Sequence, residues 1–181
     1  RQIRFLQSDL FSALPGESFD LIVAQPPFVA CPEDDTAITF LHGGARGDEL
    51  TLRLLGDLPD RLAPGGRAVL LVELPTYDQT SVLDRLRAAL ASPRLDLLVL
   101  LGPPKDLDAY VTFHASVMCP EFGERFRDAV LAQRAHLERC QIRELRMAVI
   151  VVRKGNGAGF SRLIETRPLL QAEPTGLEIE R

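Results

Sequence analysis

Gln25-Pro26-Pro27-Phe28 follows directly on Phe19-Asp20-Leu21-Ile22-Val23-Ala24, a short apolar run rich in branched residues. Such a run reads as a strand buried on both faces, and the double proline ends it because proline has no N–H to give to a ladder. A glutamine carbonyl beside backbone carbonyls, held by two prolines of fixed φ, makes a cluster of acceptors suited to a flat amino group. The ring of Phe28 can stack on a conjugated substrate. Two acceptors aimed at an NH2 group turn its lone pair toward a methyl donor, which is catalysis by positioning rather than by a strong base.

Other polar residues carry weaker signals. Asp9 closes an alternating run and opens a polar stretch, where an aspartate can bond its own backbone to start a loop. His42 lies in a glycine-bounded loop and reads as a polar loop residue; His114 and His136 give still less. No spacing among the histidines, cysteines and carboxylates suggests a metal site. Ser81 and Ser116 lack a Gly-x-Ser-x-Gly elbow, so nucleophilic hydrolysis has no support. Tyr110 to Met118 could shape a substrate pocket, although packing is the leaner reading.

The elements that position these residues are legible as patterns. Ile3, Phe5 and Gln7 alternate with Arg4, Leu6 and Ser8, predicting a strand. Leu50, Leu54, Leu55, Leu58 and Leu62 predict a helix from Asp48, a candidate cap, to the stop at Pro64-Gly65-Gly66. Arg67 to Leu74 predicts a buried strand. Ser81 and Asp84 offer a capping box for a helix through Leu90, with Val82, Leu83, Leu86 and Leu90 as its apolar face. Leu95 to Leu101 and Met147 to Val152 predict two more strands, and Phe122, Phe126, Val130, Gln133 and Leu137 trace a helical face between them. Residues 154–181 read as a flexible linker and a surface extension containing Pro168 and Pro174. Strands alternating with helices imply an α/β domain, residues 1–153, with a mostly parallel sheet, helices on both faces and ligands at the strands' carboxyl ends.

The 181 residues are 46% hydrophobic and 25% charged, enough for one domain core. A net charge of −4 with interspersed signs gives no electrostatic footprint for strong nucleic-acid binding. Cys31, Cys119 and Cys140 fit neither a disulfide framework nor structural zinc. The absence of a membrane-length apolar run and of a signal-like start predicts a cytoplasmic protein without a membrane partner. A strand pattern that begins at Ile3 behind an Arg1 predicts a chain that starts inside a domain.

With Leu6-Gln7-Ser8-Asp9-Leu10-Phe11-Ser12-Ala13-Leu14, Phe19 to Phe28, Leu41 to Gly47 and Leu62 to Arg67 in this order, the sequence resembles the class I S-adenosylmethionine (SAM)-dependent methyltransferases with an Asn/Asp-Pro-Pro-Tyr/Phe motif. It is similar above all to the release-factor glutamine methyltransferases and related small methyltransferase domains, well over Ile3 to Glu73 and in outline beyond. The resemblance implies a Rossmann-like fold truncated at its amino terminus, SAM as cofactor, and N-methylation of a planar amide or exocyclic amine on a protein, an RNA base or a small molecule. It implies catalytic roles for Gln25, Pro26 and Phe28 and cofactor contacts from Asp9, Leu10 and Gln25, Asp9 accepting from the adenine amino group. Gln25 departs from the family's Asn or Asp by one methylene, about 1.5 Å of reach. The family's glycine-rich first loop and its ribose-gripping acid would precede Arg1. A second reading is therefore a degenerate, noncatalytic domain used for binding or scaffolding.

Overall fold

The computed structural model describes residues 3–31 and 40–167. In chain order its elements are β1 (Phe19–Ala24), β2 (Val29–Ala30), β3 (His42–Gly44), α1 (Glu49–Arg61), β4 (Leu62–Thr76), α2 (Val82–Leu90), β5 (Leu95–Pro104), α3 (Leu107–Met118), α4 (Glu124–Arg139), β6 (Glu144–Lys154) and β7 (Ser161–Glu165). The central sheet has the order β1-β4-β6-β5-β7. β1 pairs parallel with β4, and β7 parallel with β5, while β6 runs antiparallel between β4 and β5. Four of the five strands thus point one way, and the segments after β1, β4 and β5 emerge at one edge.

Strand alternation divides the sheet into two unequal faces. On one, Ala68, Leu70, Val72 and Leu74 of β4, Leu97, Val99 and Leu101 of β5, and Ala148, Ile150 and Val152 of β6 are buried with Leu54, Leu55 and Leu58 of α1 and Leu86 and Leu90 of α2. Ser81 accepts from the backbone N–H of Asp84 at 3.3 Å and caps α2 as its sequence predicts. On the other face, α3 and α4 cover only the carboxyl end, where Tyr110, Val111, Leu137, Ile142 and Leu145 form a second cluster. The remainder lies open, with Leu71 41% exposed.

Several expectations change. Residues 3–8 form no strand: Ile3 and Phe5 are 82% and 92% exposed, because an alternating pattern becomes a strand only where a neighbouring edge accepts its ladder. β1 is not buried on both faces; among the described residues it is an edge strand bonded to β4 alone, with Leu21 57% and Val23 73% exposed. Asp48 stands at the start of α1 without capping it, its carboxylate instead taken by Arg85 of α2. Pro64-Gly65-Gly66 is a bulge inside β4, marked by the register shift between Phe19 and Leu21, rather than a turn before it. The helix read from Phe122 starts after Gly123, leaving Phe122 81% exposed. Part of the stretch read as linker and extension forms edge strand β7; Pro168 and Pro174 lie outside the described residues.

Candidate functional site

Gln25 follows the last residue of β1, at the edge where the parallel strands end. Its side chain is exposed, and its amide has no hydrogen-bond partner among the described residues. Pro26 is buried, and Pro27 and Phe28 are half-buried. The backbone that follows is clamped by the glycine loop: β2 pairs with β3, the Val29 N–H donates to Leu41 O at 2.8 Å, and the Cys31 N–H donates to Gly44 O at 3.1 Å. Only glycine permits this approach. A Cβ on Gly43 would stand 2.6 Å from Pro27 O and 2.1 Å from Gly47 O, and one on Gly47, whose φ is 88°, would stand 2.5 Å from Phe28 O.

Helix α4 fastens the loop from behind. His136, 5% exposed, holds Ala45 O at 2.6 Å through Nε2, with the Cys140 thiol 3.5 Å from the same oxygen. Gln133 Nε2 donates to Ala30 O at 2.7 Å. His136 and Cys140 therefore act as structural fasteners. The expected loop residue His42 lies half-buried on β3.

Phe28 forms one wall of an open cleft of about 510 Å3, completed by Val29, Leu41, Lys105, Asp106, Ala109, Tyr110, Phe113 and His114. The packing and pocket readings of residues 110–118 both hold, residue by residue: Val111 and Ala115 are buried, whereas Tyr110, Phe113 and His114 face the cleft. Burial, reinforced by the charges of Lys105 and His42, lowers the His114 pKa to about 4, so the ring is neutral at ordinary pH. Beneath the cleft Glu73 is fully buried on β4 and accepts from Lys105 Nζ. Burial, with the Glu73 carboxylate beside it, pushes the Tyr110 phenol above its ordinary range, and the two make no well-formed hydrogen bond. Sequence reading passed over Glu73 and Lys105. The available signal was Glu73 itself, a charge inside the apolar run Ala68-Val69-Leu70-Leu71-Val72-Glu73-Leu74.

A larger polar hollow of about 670 Å3 opens at Arg46, Tyr77, Asp78, Arg85, Cys140 and Arg143 and does not include the Pro-Pro-Phe segment. Asp78 and Asp48 engage Arg143 and Arg85 there, and Arg85 also lies 4.6 Å from the Tyr77 ring centroid. Burial outweighs the Arg85 guanidinium and raises Asp48 to about 6.

Asp9 stands in the turn after the unpaired stretch, where Ser8 Oγ donates to Leu10 O at 2.8 Å and the Ser12 N–H donates to Asp9 O at 3.0 Å. Its carboxylate is exposed and paired with Arg53 of α1 at 3.0 Å. Leu10 adopts a φ of 49° and packs its half-buried side chain on the main core. Among the described residues no group of three or more His, Cys, Asp or Glu is placed to hold a metal ion, and no helix is long and apolar enough to cross a membrane.

No family model matches the chain. It is 36% identical over 83 residues to the release factor glutamine methyltransferase of Rhodopirellula baltica, covering 40% of this chain and 27% of that one. It is 34% identical over 85 residues to the ribosomal protein uL3 glutamine methyltransferase of Xanthomonas campestris, covering 42% and 27%. The chain thus spans about a quarter of the length of these curated relatives. Among solved structures the StiE O-methyltransferase superposes with a TM-score of 0.42 at 14% identity, covering 86% of this chain and 50% of that one.

Proposed function

We propose that this chain is the acceptor-binding part of a SAM-dependent methyltransferase that methylates a planar amide nitrogen, with glutamine in a protein as the favoured acceptor. The observation that carries the reading is the Gln25-Pro26-Pro27-Phe28 segment, clamped by the glycine loop at the strands' carboxyl edge and opening on a mostly apolar cleft. The partial identity to glutamine methyltransferases supports the same choice of acceptor.

In this mechanism the Gln25 amide oxygen and the adjacent proline carbonyl accept from the acceptor's NH2 group. Both of its protons are thereby fixed, and the nitrogen lone pair is directed at the methyl carbon. Phe28 stacks on the amide plane and excludes water from that side. Methylation would displace one N–H proton of the acceptor, and the exposed edge at Gln25 would let it leave to solvent. SAM, when bound, supplies the electrophilic methyl. What supports its binding here is the exposed carboxylate of Asp9, which would accept from an adenine amino group, with Leu10 beside it as apolar cover. The Arg53 pairing is an exposed ion pair of small worth and yields readily to a ligand.

The test is calorimetric titration of the full-length protein with SAM, then a methyl-transfer screen over glutamine peptides, RNA and small amines. The expected result is cofactor binding with transfer to the peptides. Cofactor binding without transfer to any class would favour the scaffolding reading, for which the longer arm of Gln25 is the motivating feature.

A further inference from the structure

The cleft beside Phe28 carries an expensive arrangement in its wall. Glu73 has no exposed surface, one of its oxygens holds the Lys105 ammonium, and the other has no hydrogen-bond partner among the described residues. For stability alone, an apolar pair of similar volume serves as well or better in such a place. What the glutamate does achieve is to fix an ammonium group at the cleft. Lys105 follows β5, its side chain is 35% exposed, and its Nζ lies 5.5 Å from the Tyr110 ring centroid. An ammonium has three donors. Glu73 takes one, and no other bond from Nζ exists among the described residues.

Of the other polar side chains lining the cleft, Tyr110 has a buried hydroxyl without a hydrogen-bond partner among the described residues, and Asp106 is committed to its own helix. Asp106 Oδ1 accepts from the backbone N–H groups of Asp108 and Ala109 at 2.8 and 3.1 Å as the cap of α3. His114 is neutral. Among the described residues that line the cleft, Lys105 is the one fixed cation, balanced from below by a buried anion and flanked by Phe28, Val29, Leu41 and Phe113.

We propose that Lys105, aimed by Glu73, donates a hydrogen bond to a carbonyl oxygen of the methyl acceptor and so selects neutral carbonyl-bearing acceptors, carboxamides in a peptide, over cationic amines. The inference rests on the methyl-transfer reading above and deepens it. A protonated amine entering the cleft meets a like charge in apolar surroundings, whereas a carboxamide brings an acceptor for the free ammonium donors and leaves its NH2 group for Gln25 and the proline carbonyl. Lys105 is a specificity residue; Glu73 is a positioning residue that acts through it.

The experiment uses the full-length protein, saturating SAM and a glutamine-containing peptide. Lys105→Met keeps most of the stem and removes the charge. It should raise the acceptor KM about 10- to 100-fold and leave kcat and SAM affinity within about 3-fold, the pattern of lost ground-state binding. Lys105→Arg should restore most of the affinity, and Glu73→Gln should fall between, because the ammonium keeps its charge and loses its anchor. Circular dichroism and SAM titration confirm that each variant is folded; because Lys105→Met strips the buried Glu73 carboxylate of its counter-ion, the double variant Glu73→Gln with Lys105→Met, which buries no unpaired charge, reads the same change in KM where the single variant does not fold. An unchanged acceptor KM in folded Lys105→Met, with the parent protein active, overturns this assignment and leaves the methyltransferase reading standing. A parent protein that methylates no acceptor overturns both.

Discussion

The two flanks of the Pro-Pro-Phe segment are held by different forces. On the Phe28 side the backbone lies against glycines that admit no Cβ, α4 fastens the loop with His136 and Gln133, and a buried carboxylate sets the cation of the cleft. On the Asp9 side the turn is closed by serine hydroxyls, its carboxylate is exposed with Arg53, and the preceding residues have no sheet partner among the described residues. The acceptor flank is thus preorganised by burial, which fixes geometry at the cost of tolerance to substitution. The Asp9 flank is local and solvated, so its geometry depends on what binds there.

The most damaging way to probe this contrast is Gly43→Ala. A methyl forced to 2.1 Å from Gly47 O must displace the clamp, and the expected loss is about 3 kcal/mol or more of stability. Urea denaturation measures it, and a loss below about 1 kcal/mol would show that the clamp yields.

The pH dependence sharpens the comparison next. The pKa of His114 in the cleft falls from 6.5 to about 4, so between these values the unfolded chain binds more protons and this group's stability contribution grows as pH rises. The pKa of Asp48 rises from 3.8 to about 6, so the folded chain binds more protons there and its contribution is lost as pH rises. The Asp48 effect is worth roughly 3 kcal/mol across its window, the His114 effect less because solvent reaches part of its ring, and the two oppose each other. Asp48→Asn should leave a profile that climbs from pH 4.5 to 6.5, and His114→Phe one that declines, read by denaturant midpoints at both pH values. The same slope in both variants would disprove the assignment of these two groups.

Gln25→Ala addresses chemistry rather than stability. An exposed amide without internal partners can be removed with little effect on the fold, whereas kcat should fall about 100-fold with SAM affinity unchanged. Gln25→Asn retains or raises activity if the longer arm is only tolerated, and loses it if the pocket is built around glutamine. Parent-like rates in both variants would end the positioning mechanism.

The smallest effect is expected at Asp9. Its exposed pair with Arg53 contributes at most about 1 kcal/mol, so Asp9→Ala should keep the parent melting temperature within a few degrees. Cofactor affinity in the full-length protein should drop by about 1 to 3 kcal/mol, the cost of a lost hydrogen-bond partner. Unchanged affinity would leave Asp9 as a surface turn residue.

Whatever depends on local periodicity and turn chemistry can be read directly from the chain. Ser81 with Asp84 set the start of α2, the apolar spacing of Leu54, Leu55 and Leu58 set the buried stripe of α1, and the double proline set the end of β1. Local pattern does not say which strand edge is available. Residues 3–8 alternate like a strand and join no sheet among the described residues, while the polar Ser161–Glu165 segment becomes β7 because the edge of β5 accepts it. The acceptor flank was legible in the same partial way. Its motif stood out in the chain, but Lys105, Tyr110 and His114 join Phe28 only because β5 and α3 bring them to the same edge of the sheet. Glu73 lies 32 residues from Lys105, and only the tertiary structure turns a charge inside an apolar strand into the anchor of a cation. Contacts between distant segments are decided by how the faces of sheet and helix bury one another, and that information is spread over the whole chain rather than carried by any short stretch.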